Sequence, residues 1–270
     1  MNDQNHDGRV IPSLYMQNKG ESSIRFALRL TSAPSRVVVR ITGGCGNMSA
    51  ADADGMYDLF AEALKGFDGG ILFGGTRMIS KEGGKILPSV TEIPTRIKIR
   101  APDAVILGVV PRTSELKLVP GLGMVVSGES GAAYDSIIHP NQEACLLVQQ
   151  SVDTGVEWEA EYRVCLDIVK NLRDYANWQS VLISYNGGSV TKKEILETAE
   201  RGWPVVLVSG SGRVTGELAE DNDFLNEHPN VLVAEKTSES LRGVLAKLGV
   251  WGVSAEGHRN TFKFALAQGA

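Results

Sequence analysis

Short apolar runs recur along the chain, and segments with helical spacing of their apolar residues separate them. The runs at 37–42, 70–74 and 205–208 lack polar alternation, which is typical of strands buried on both faces of a parallel sheet. The pattern predicts an α/β fold, a single Rossmann-like doubly wound, mostly parallel sheet with helices on both faces. Further strands are predicted at 105–110, 145–148, 181–185 and 231–234. Helices are predicted at 49–65, 157–175, 191–201, 212–221 and 238–248.

Two segments depart from this regular order. At 24–30 the apolar residues Phe26, Leu28 and Leu30 alternate with other residues, which predicts an extra edge strand. Residues 111–143 contain many glycines and few helix signals. A loop of that length is functional, mobile, or an insertion that contains small strands.

The composition divides the chain into three parts. Residues 1–23 are polar and predict a flexible N-terminal segment. Residues 24–250 form one predicted domain, with the glycine-rich insertion at about 111–143 inside it. Residues 251–270 are expected to be a C-terminal extension.

Four glycine-bearing turns directly follow predicted strands. They are Gly43-Gly44, Gly74-Gly75, Gly187-Gly188 and Gly210-Ser211-Gly212. In an open parallel sheet the carboxyl ends of the strands share one edge, and ligands bind where the strand order reverses. Small residues followed by a helix start let backbone N–H groups face an anion. The sequence therefore predicts a shared anionic ligand site, with purely structural chain reversal as the alternative.

Two arginines strengthen that prediction. Arg77 and Arg213 each follow a glycine turn, and a guanidinium binds phosphate through a planar fork of donors. The alternative is an ordinary surface salt bridge, which contributes little stability.

Glu194 has two interpretations. With Thr191 it fits a capping box at the start of a helix. It also fits a carboxylate that contacts a ribose or acts as a general base. A third pattern, a dinucleotide fingerprint over 210–216 with Glu235 as its acid, is disfavoured because only about one further strand follows it.

Composition narrows the class of partner. The chain has 270 residues, 43% of them hydrophobic, and a net charge of −5, which does not favour a nucleic-acid partner. The longest apolar run, 104–111, is much shorter than the ~20 residues of a membrane span, so no membrane association is expected. The three cysteines lack zinc spacing, so we expect no metal site, reduced thiols and a cytoplasmic location.

The ordered set of motifs is more specific than any single one. In chain order the motifs are Ile41-Thr42-Gly43-Gly44, Gly74-Gly75-Thr76-Arg77-Met78, His139-Pro140-Asn141, Glu157-Trp158-Glu159-Ala160-Glu161, Asn186-Gly187-Gly188-Ser189-Val190-Thr191 and Pro204-Val205-Val206-Leu207-Val208-Ser209-Gly210-Ser211-Gly212-Arg213. This set resembles the SLOG superfamily over about residues 35–245. Within it, the chain looks like the prokaryotic (LSDAT-like) branch that is similar to the cytosolic N-terminal region of melastatin-type TRP channels.

The resemblance implies a Rossmann-like domain that binds a nucleotide derivative, such as an ADP-ribose-like or other ribose-phosphate ligand, as a sensor. It also implies a homo-oligomer, and no cofactor beyond such a ligand. The ligand-lining residues that it implies are Thr42, Gly43, Gly44, Gly75, Thr76, Arg77, Asn186, Gly187, Gly188, Gly210, Ser211, Gly212 and Arg213.

Enzymatic activity stays open. Related phosphoribohydrolases cleave the N-glycosidic bond of nucleoside monophosphates with a Pro-Gly-Gly-x-Gly-Thr-x-x-Glu signature. Residues 186–194 keep the Gly-Gly pair and the final glutamate but lack the first proline and the later glycine. Under this alternative Glu194 is the catalytic carboxylate and Arg213 holds the phosphate. A third hypothesis is an interaction protein whose glycine turns are structural.

Overall fold

The protein is described from a computed structural model. The structure describes residues 12–17, 23–44, 48–112, 117–119, 123–127, 133–149 and 158–251. The predicted C-terminal extension lies outside these residues, apart from Trp251.

The described residues form strands and helices in the predicted alternation. The strands are β1 Ser13–Gln17, β2 Val37–Gly43, β3 Gly70–Gly74, β4 Thr76–Ser80, β5 Val105–Arg112, β6 Lys117–Val119, β7 Gly123–Ser127, β8 Tyr134–Ile138, β9 Ala144–Gln149, β10 Gln179–Tyr185, β11 Val205–Val208 and β12 Val231–Ala234. The α-helices are α1 Ile24–Ala27, α2 Ala50–Ala63, α3 Ile93–Arg100, α4 Glu159–Ala176, α5 Ser189–Glu200, α6 Arg213–Glu220, α7 Asn222–Glu227 and α8 Ser238–Lys247. Short 3₁₀ helices cover Leu28–Ser32 and Val90–Glu92.

Eight strands form one parallel sheet in the order β1-β9-β5-β3-β2-β10-β11-β12. From β2 the chain first builds outward through β3, β5 and β9. It then returns to place β10 on the other side of β2 and continues to β11 and β12. The strand order therefore reverses between β2 and β10, which is the switch point of a doubly wound fold.

Helices cover both faces of this sheet, as predicted. On one face Val39 and Ile41 of β2 pack with α2, α3 and α8 in a single cluster. On the other face Val38 packs with α4 and the 3₁₀ helix Leu28–Ser32, and α5 and α6 cover β10 and β11. The prediction of a Rossmann-like, doubly wound α/β fold is confirmed.

The N-terminal region differs from its prediction in two places. Residues 13–17, expected within a flexible segment, form β1 and pair in parallel with β9. The predicted edge strand at 24–30 is wrong, because α1 and the following 3₁₀ helix occupy these residues. Phe26 and Leu30 are buried, at 1% and 0% exposed, whereas Leu28 is 59% exposed. Burial thus follows the four-residue spacing of one helix face, and the alternation at Leu28 is incidental.

The glycine-rich segment contains small strands, one of the three alternatives left open by the sequence. Strands β4, β8, β7 and β6 form an antiparallel sheet of four. Its first strand, β4, begins two residues after β3 ends, so this sheet leaves the main sheet at a carboxyl strand end. No helix follows the Gly-Gly-Thr turn here because the chain continues as a strand.

Candidate functional site

The four glycine turns lie at the carboxyl ends of neighbouring parallel strands, β3, β2, β10 and β11. The two central turns meet across the switch point, where Ser184 pairs with Thr42 and Tyr185 with Gly43. A Cβ on Gly43 would lie 2.1 Å from the Tyr185 carbonyl oxygen, so only glycine fits there. The Gly44 N–H donates to the same carbonyl at 3.4 Å. Thr42 itself is buried at the end of β2.

Asn186 holds the turn after β10 in a fixed position. Its backbone is left-handed, with φ 60°, which asparagine tolerates better than most residues. Its N–H donates to Ser211 Oγ at 3.0 Å, and its carbonyl accepts from the Thr215 N–H at 3.1 Å. The Thr215 hydroxyl also donates to that carbonyl, so Ser184 is the donor in its 2.6 Å hydrogen bond with Thr215. The β10 turn is thus tied to the β11 turn and to α6.

Helices α5 and α6 begin at this edge without a side chain to cap them. Their N-cap residues are Gly188 and Gly212, and neither supplies a capping hydrogen bond. The first N–H groups of a helix have no intrahelical partner and carry the positive end of its dipole. At the neighbouring helix α2, by contrast, Ser49 caps the Asp52 N–H. Neither helix start has a side-chain cap, which favours an anion at the switch point, although the Thr215 N–H of α6 already donates to the Asn186 carbonyl.

A cavity of about 280 Å³ opens beside the start of α6, and Gly187 and Gly188 at the start of α5 are not among its lining residues. It is lined by Met48, Asp52, Tyr185, Asn186, Gly210, Ser211, Gly212, Arg213 and Lys236. Tyr185, Asn186 and Ser211 are buried and form its floor, whereas Asp52, Arg213 and Lys236 are exposed at its rim. Lys236 also lies over the Tyr185 ring, with Nζ 5.7 Å from the ring centroid. The rim thus combines two cations with one carboxylate.

Arg213 lies across the two glycine turns at the switch point. A Cβ on Gly188 would lie 2.9 Å from Arg213 Nη2, and one on Gly44 would lie 3.4 Å from Nη1. The absence of side chains at both glycines therefore leaves the space that the guanidinium occupies. Arg213 has φ 48°, a left-handed conformation that places it at the start of α6 after Gly212.

Comparison with known proteins identifies the family. A family model described as "SLOG in TRPM, prokaryote" matches residues 36–245. The chain belongs to this SLOG family. No curated protein matches the sequence.

Solved structures similar to this SLOG domain share little sequence with it. The X-ray structure of TM1055 is 19% identical, covers 79% of this chain and 99% of its own, and has a TM-score of 0.45. The molybdenum cofactor binding protein of the phototrophic bacterium Rippkaea orientalis is 16% identical, covers 79% and 97%, and has a TM-score of 0.46. The molybdenum cofactor carrier protein of Chlamydomonas reinhardtii is 13% identical, covers 80% and 99%, and has a TM-score of 0.48.

The turn after β3 does not join the cavity of the SLOG domain. Gly75 packs against Gly108, and Thr76 begins β4 as a buried residue. The guanidinium of Arg77 binds Glu92 through two hydrogen bonds, Nε to Oε1 at 2.8 Å and Nη2 to Oε2 at 2.7 Å. Its fork of donors is therefore directed at a carboxylate of the protein. Among the predicted site residues, Gly75, Thr76 and Arg77 lie apart from Asn186, Gly210–Gly212 and Arg213.

His139 completes the Arg77–Glu92 pair as a buried network. Its Nε2 lies 3.3 Å from Glu92 Oε2, and its Nδ1 accepts from the Asn141 N–H at 3.1 Å. Burial opposes the charged form of Glu92, but hydrogen bonds from His139 and Arg77 lower its pKa to about 2. Burial lowers the pKa of His139, and the charge of Arg77 adds to this, while Glu92 opposes it. These contacts indicate a structural role for His139.

Glu194 is buried, and both of its carboxylate oxygens accept hydrogen bonds from Arg40. It is 1% exposed, and its Oε1 is 2.8 Å from Arg40 Nε. Arg40 also binds Glu161, with Nη2 2.7 Å from Oε1. The capping-box interpretation is wrong, because Gly188 is the N-cap of α5 and the Glu194 carboxylate goes to Arg40. Burial and the neighbouring Glu194 raise the pKa of Glu161, although Arg40 opposes this.

Sequence reasoning missed four of the residues that line the cavity, namely Met48, Asp52, Tyr185 and Lys236. Tyr185 is the last residue of β10, and Lys236 comes two residues after β12. The rule that ligands bind at carboxyl strand ends could have found both. Asp52 had no such signal, because its place depends on how α2 lies against the sheet.

The described part of the SLOG domain has neither a membrane-spanning helix nor a cluster of metal ligands. In it, no helix is both long and apolar enough to cross a membrane. Nor do its described His, Cys, Asp and Glu side chains form a group of three or more that could hold a metal ion. Cys145 and Cys165 are buried free thiols.

Proposed function

We propose that this SLOG domain binds a phosphorylated nucleotide derivative, ADP-ribose-like or another ribose phosphate, in the switch-point cavity and acts as a ligand sensor. The observation that supports this most directly is the arrangement around Arg213. Its guanidinium lies against Gly188 at the start of α5, Arg213 is the first residue of α6, and neither helix has a side-chain cap. Fixed N–H groups, helix dipoles and a guanidinium together favour phosphate over other groups of similar size.

A hydrolase remains the alternative, but no contact of the described residues favours it. Cleavage of a glycosidic bond canonically uses a pair of carboxylates at the ligand, and Asp52 is the one carboxylate among the described residues that line the cavity. Glu194, the candidate from the motif, is paired with Arg40 and is not among the residues that line the cavity. Homo-oligomer formation and a cytoplasmic location belong to the same proposal and rest on the family resemblance and the composition.

The proposal is tested by titration calorimetry with ADP-ribose and AMP. The informative variant is Arg213→Gly, because glycine adopts the left-handed backbone of Arg213 without strain and the substitution removes the exposed side chain with its guanidinium. Loss of charge-assisted hydrogen bonds worth about 1.5–3 kcal/mol should weaken binding by about 10-fold or more. Because the fold loses no buried contact, the melting temperature without ligand should stay the same or rise.

Arg100→Ala is the matched control. Arg100 is 52% exposed and pairs with Glu62 on the surface, outside the cavity. This variant should bind as the wild type does. The proposal fails if neither compound binds the wild type at millimolar concentration, or if Arg213→Gly binds as tightly as Arg100→Ala.

A further inference from the structure

The floor of the cavity contains a buried acceptor without a donor. Asn186 is 6% exposed, and among the described residues its side-chain Oδ1 has no hydrogen-bond partner. Proteins satisfy the great majority of their buried polar atoms, so an unpaired one needs an explanation. Since Asn186 lines the cavity, a molecule bound there can supply the missing donor.

The backbone presents this amide in a fixed place. Its N–H and carbonyl are both used, by Ser211 and by Thr215, and these two partners are 9% and 0% exposed. The left-handed φ of 60° is therefore held by buried contacts and does not depend on the side chain. A strained residue that its surroundings fix in this way is typical of a ligand-binding position.

The charges at the rim determine which chemical groups the ligand must carry. Arg213 and Lys236 attract an anion, whereas the Asp52 carboxylate and Asn186 Oδ1 are acceptors that repel anionic oxygens. The ionised oxygens of a phosphate group satisfy the cations but cannot donate to the Asn186 acceptor. A phosphate ester that also carries hydroxyl groups satisfies both kinds of partner.

We infer that Asn186 is a specificity-determining residue that accepts a hydrogen bond from a sugar hydroxyl of the ligand, with Asp52 accepting from a second one. The ligand class is then a phosphorylated sugar with free vicinal hydroxyls, as in a ribonucleotide. This inference rests on the proposed function, because it assumes that the anionic part of the same ligand lies at Arg213.

The test compares AMP with 2′,3′-dideoxy-AMP by titration calorimetry on the full chain. A site that hydrogen-bonds a hydroxyl rejects an analogue without it, because its own polar groups are left unpaired. The affinity of the wild type for AMP should be at least about 10-fold higher than its affinity for the dideoxy compound. In Asn186→Gly, which keeps the left-handed backbone and removes the amide, the preference for AMP over the dideoxy compound should fall about 5-fold, and the Asp52 contact should keep the remainder.

Asn177→Gly is the matched control, because Asn177 is exposed and left-handed at φ 55° at the end of α4. The Asn177→Gly variant should prefer AMP over the dideoxy compound as strongly as the wild type does. Equal wild-type affinities for the two compounds overturn this inference and leave the proposed function standing. Binding of neither compound overturns both. Undiminished discrimination by Asn186→Gly overturns the role of Asn186, and the wild-type comparison tests hydroxyl recognition even if this variant does not fold.

Discussion

At the scale of single residues, Asn186 and Arg213 share an uncommon property. Three non-glycine residues in the described part of the chain have a positive φ, and these two lie in the cavity. A left-handed backbone costs about 1 kcal/mol or more for a residue with a side chain. The third, Asn177, ends α4 in the ordinary way for a helix C-terminus. The strain at Asn186 and Arg213 coincides with the proposed ligand contacts.

Glu194→Gln tests whether the motif glutamate stabilises the fold or acts on a ligand. The substitution leaves the charge of Arg40, which is 5% exposed, with Glu161 as its remaining carboxylate. Breaking a buried ion pair by removing one partner costs about 3–5 kcal/mol, and the remaining pair places this case near the lower value. We expect urea unfolding to show a loss of about 3 kcal/mol.

Glu197→Gln, three residues further along α5, is the control for this measurement. Glu197 is 36% exposed and pairs with Arg201 on the surface, so the free energy of unfolding should change by less than about 1 kcal/mol. Unchanged stability in Glu194→Gln, together with lost turnover of a nucleoside monophosphate, would favour the hydrolase instead.

The sequence predicted the position of a residue well where the local pattern of strands and turns determines that position. The glycine turns and Arg213 follow from strand ends, which local patterns define. Arg77 also comes directly after a glycine turn. Its guanidinium is paired with Glu92, which lies in a 3₁₀ helix packed against β4, and the local sequence does not reveal this pairing. Arg40 lies inside a strand pattern and forms an ion pair with residues more than 100 positions away. Such partners depend on tertiary packing and leave no local signal.

At the scale of elements, the Arg77–Glu92–His139 network joins the small antiparallel sheet to the main domain. Arg77 lies in β4, His139 directly follows β8, and Glu92 ends the 3₁₀ helix before α3. His139 also packs edge-on against Phe73 of β3, with ring centroids 5.7 Å apart. Ile138 of the small sheet also packs in a cluster of four with Val110, Cys145 and Leu147 of the main sheet. The network is therefore expected to hold the two sheets together.

Acid should weaken this junction in two steps. The pKa of His139 is lowered in the folded state, so the unfolded chain takes up the proton first and stability falls as the pH drops below about 6.5. The pKa of Glu92 is lowered to about 2, so its contribution is present above about 4.5 and is lost as the pH falls from there towards 2. Urea unfolding at pH 7, 5.5, 4 and 3 measures both steps.

His139→Gln separates the two steps. This variant should be less stable at pH 7 and should lose the decline between pH 7 and 5, while the decline below pH 4.5 persists. A decline between pH 7 and 5 equal to that of the wild type would contradict the assignment to His139.

Element-level prediction failed where periodicity was short. The segment 24–30 contains too few residues to distinguish a period of two from one face of a helix, and only the burial of Phe26 and Leu30 decides between them. Strand β4 was missed because its pairing partner, β8, lies more than fifty residues along the chain. The long helices and central strands, by contrast, lie where their patterns predicted them.

At the scale of the whole molecule, the packed structure begins earlier in the chain than the family match does. The match begins at residue 36, whereas the buried core continues into α1 and its 3₁₀ helix. Leu30 is fully buried and packs over β3, since a Cβ on Gly70 would lie 2.5 Å from its Cδ2. The segment before residue 36 therefore covers one face of the central sheet and belongs to the folding unit.

Leu30→Ala tests this extension of the domain. Removing a fully buried leucine side chain costs about 2–5 kcal/mol, because the lost transfer energy adds to that of the cavity left behind. Leu28→Ala is the matched control two residues earlier, because Leu28 is 59% exposed and its loss should change stability by less than about 1 kcal/mol. The midpoint of urea unfolding should fall clearly for Leu30→Ala and stay near that of the wild type for Leu28→Ala. Equal midpoints for the two variants would mean that the segment does not pack on the sheet, and that the folded domain begins near residue 36.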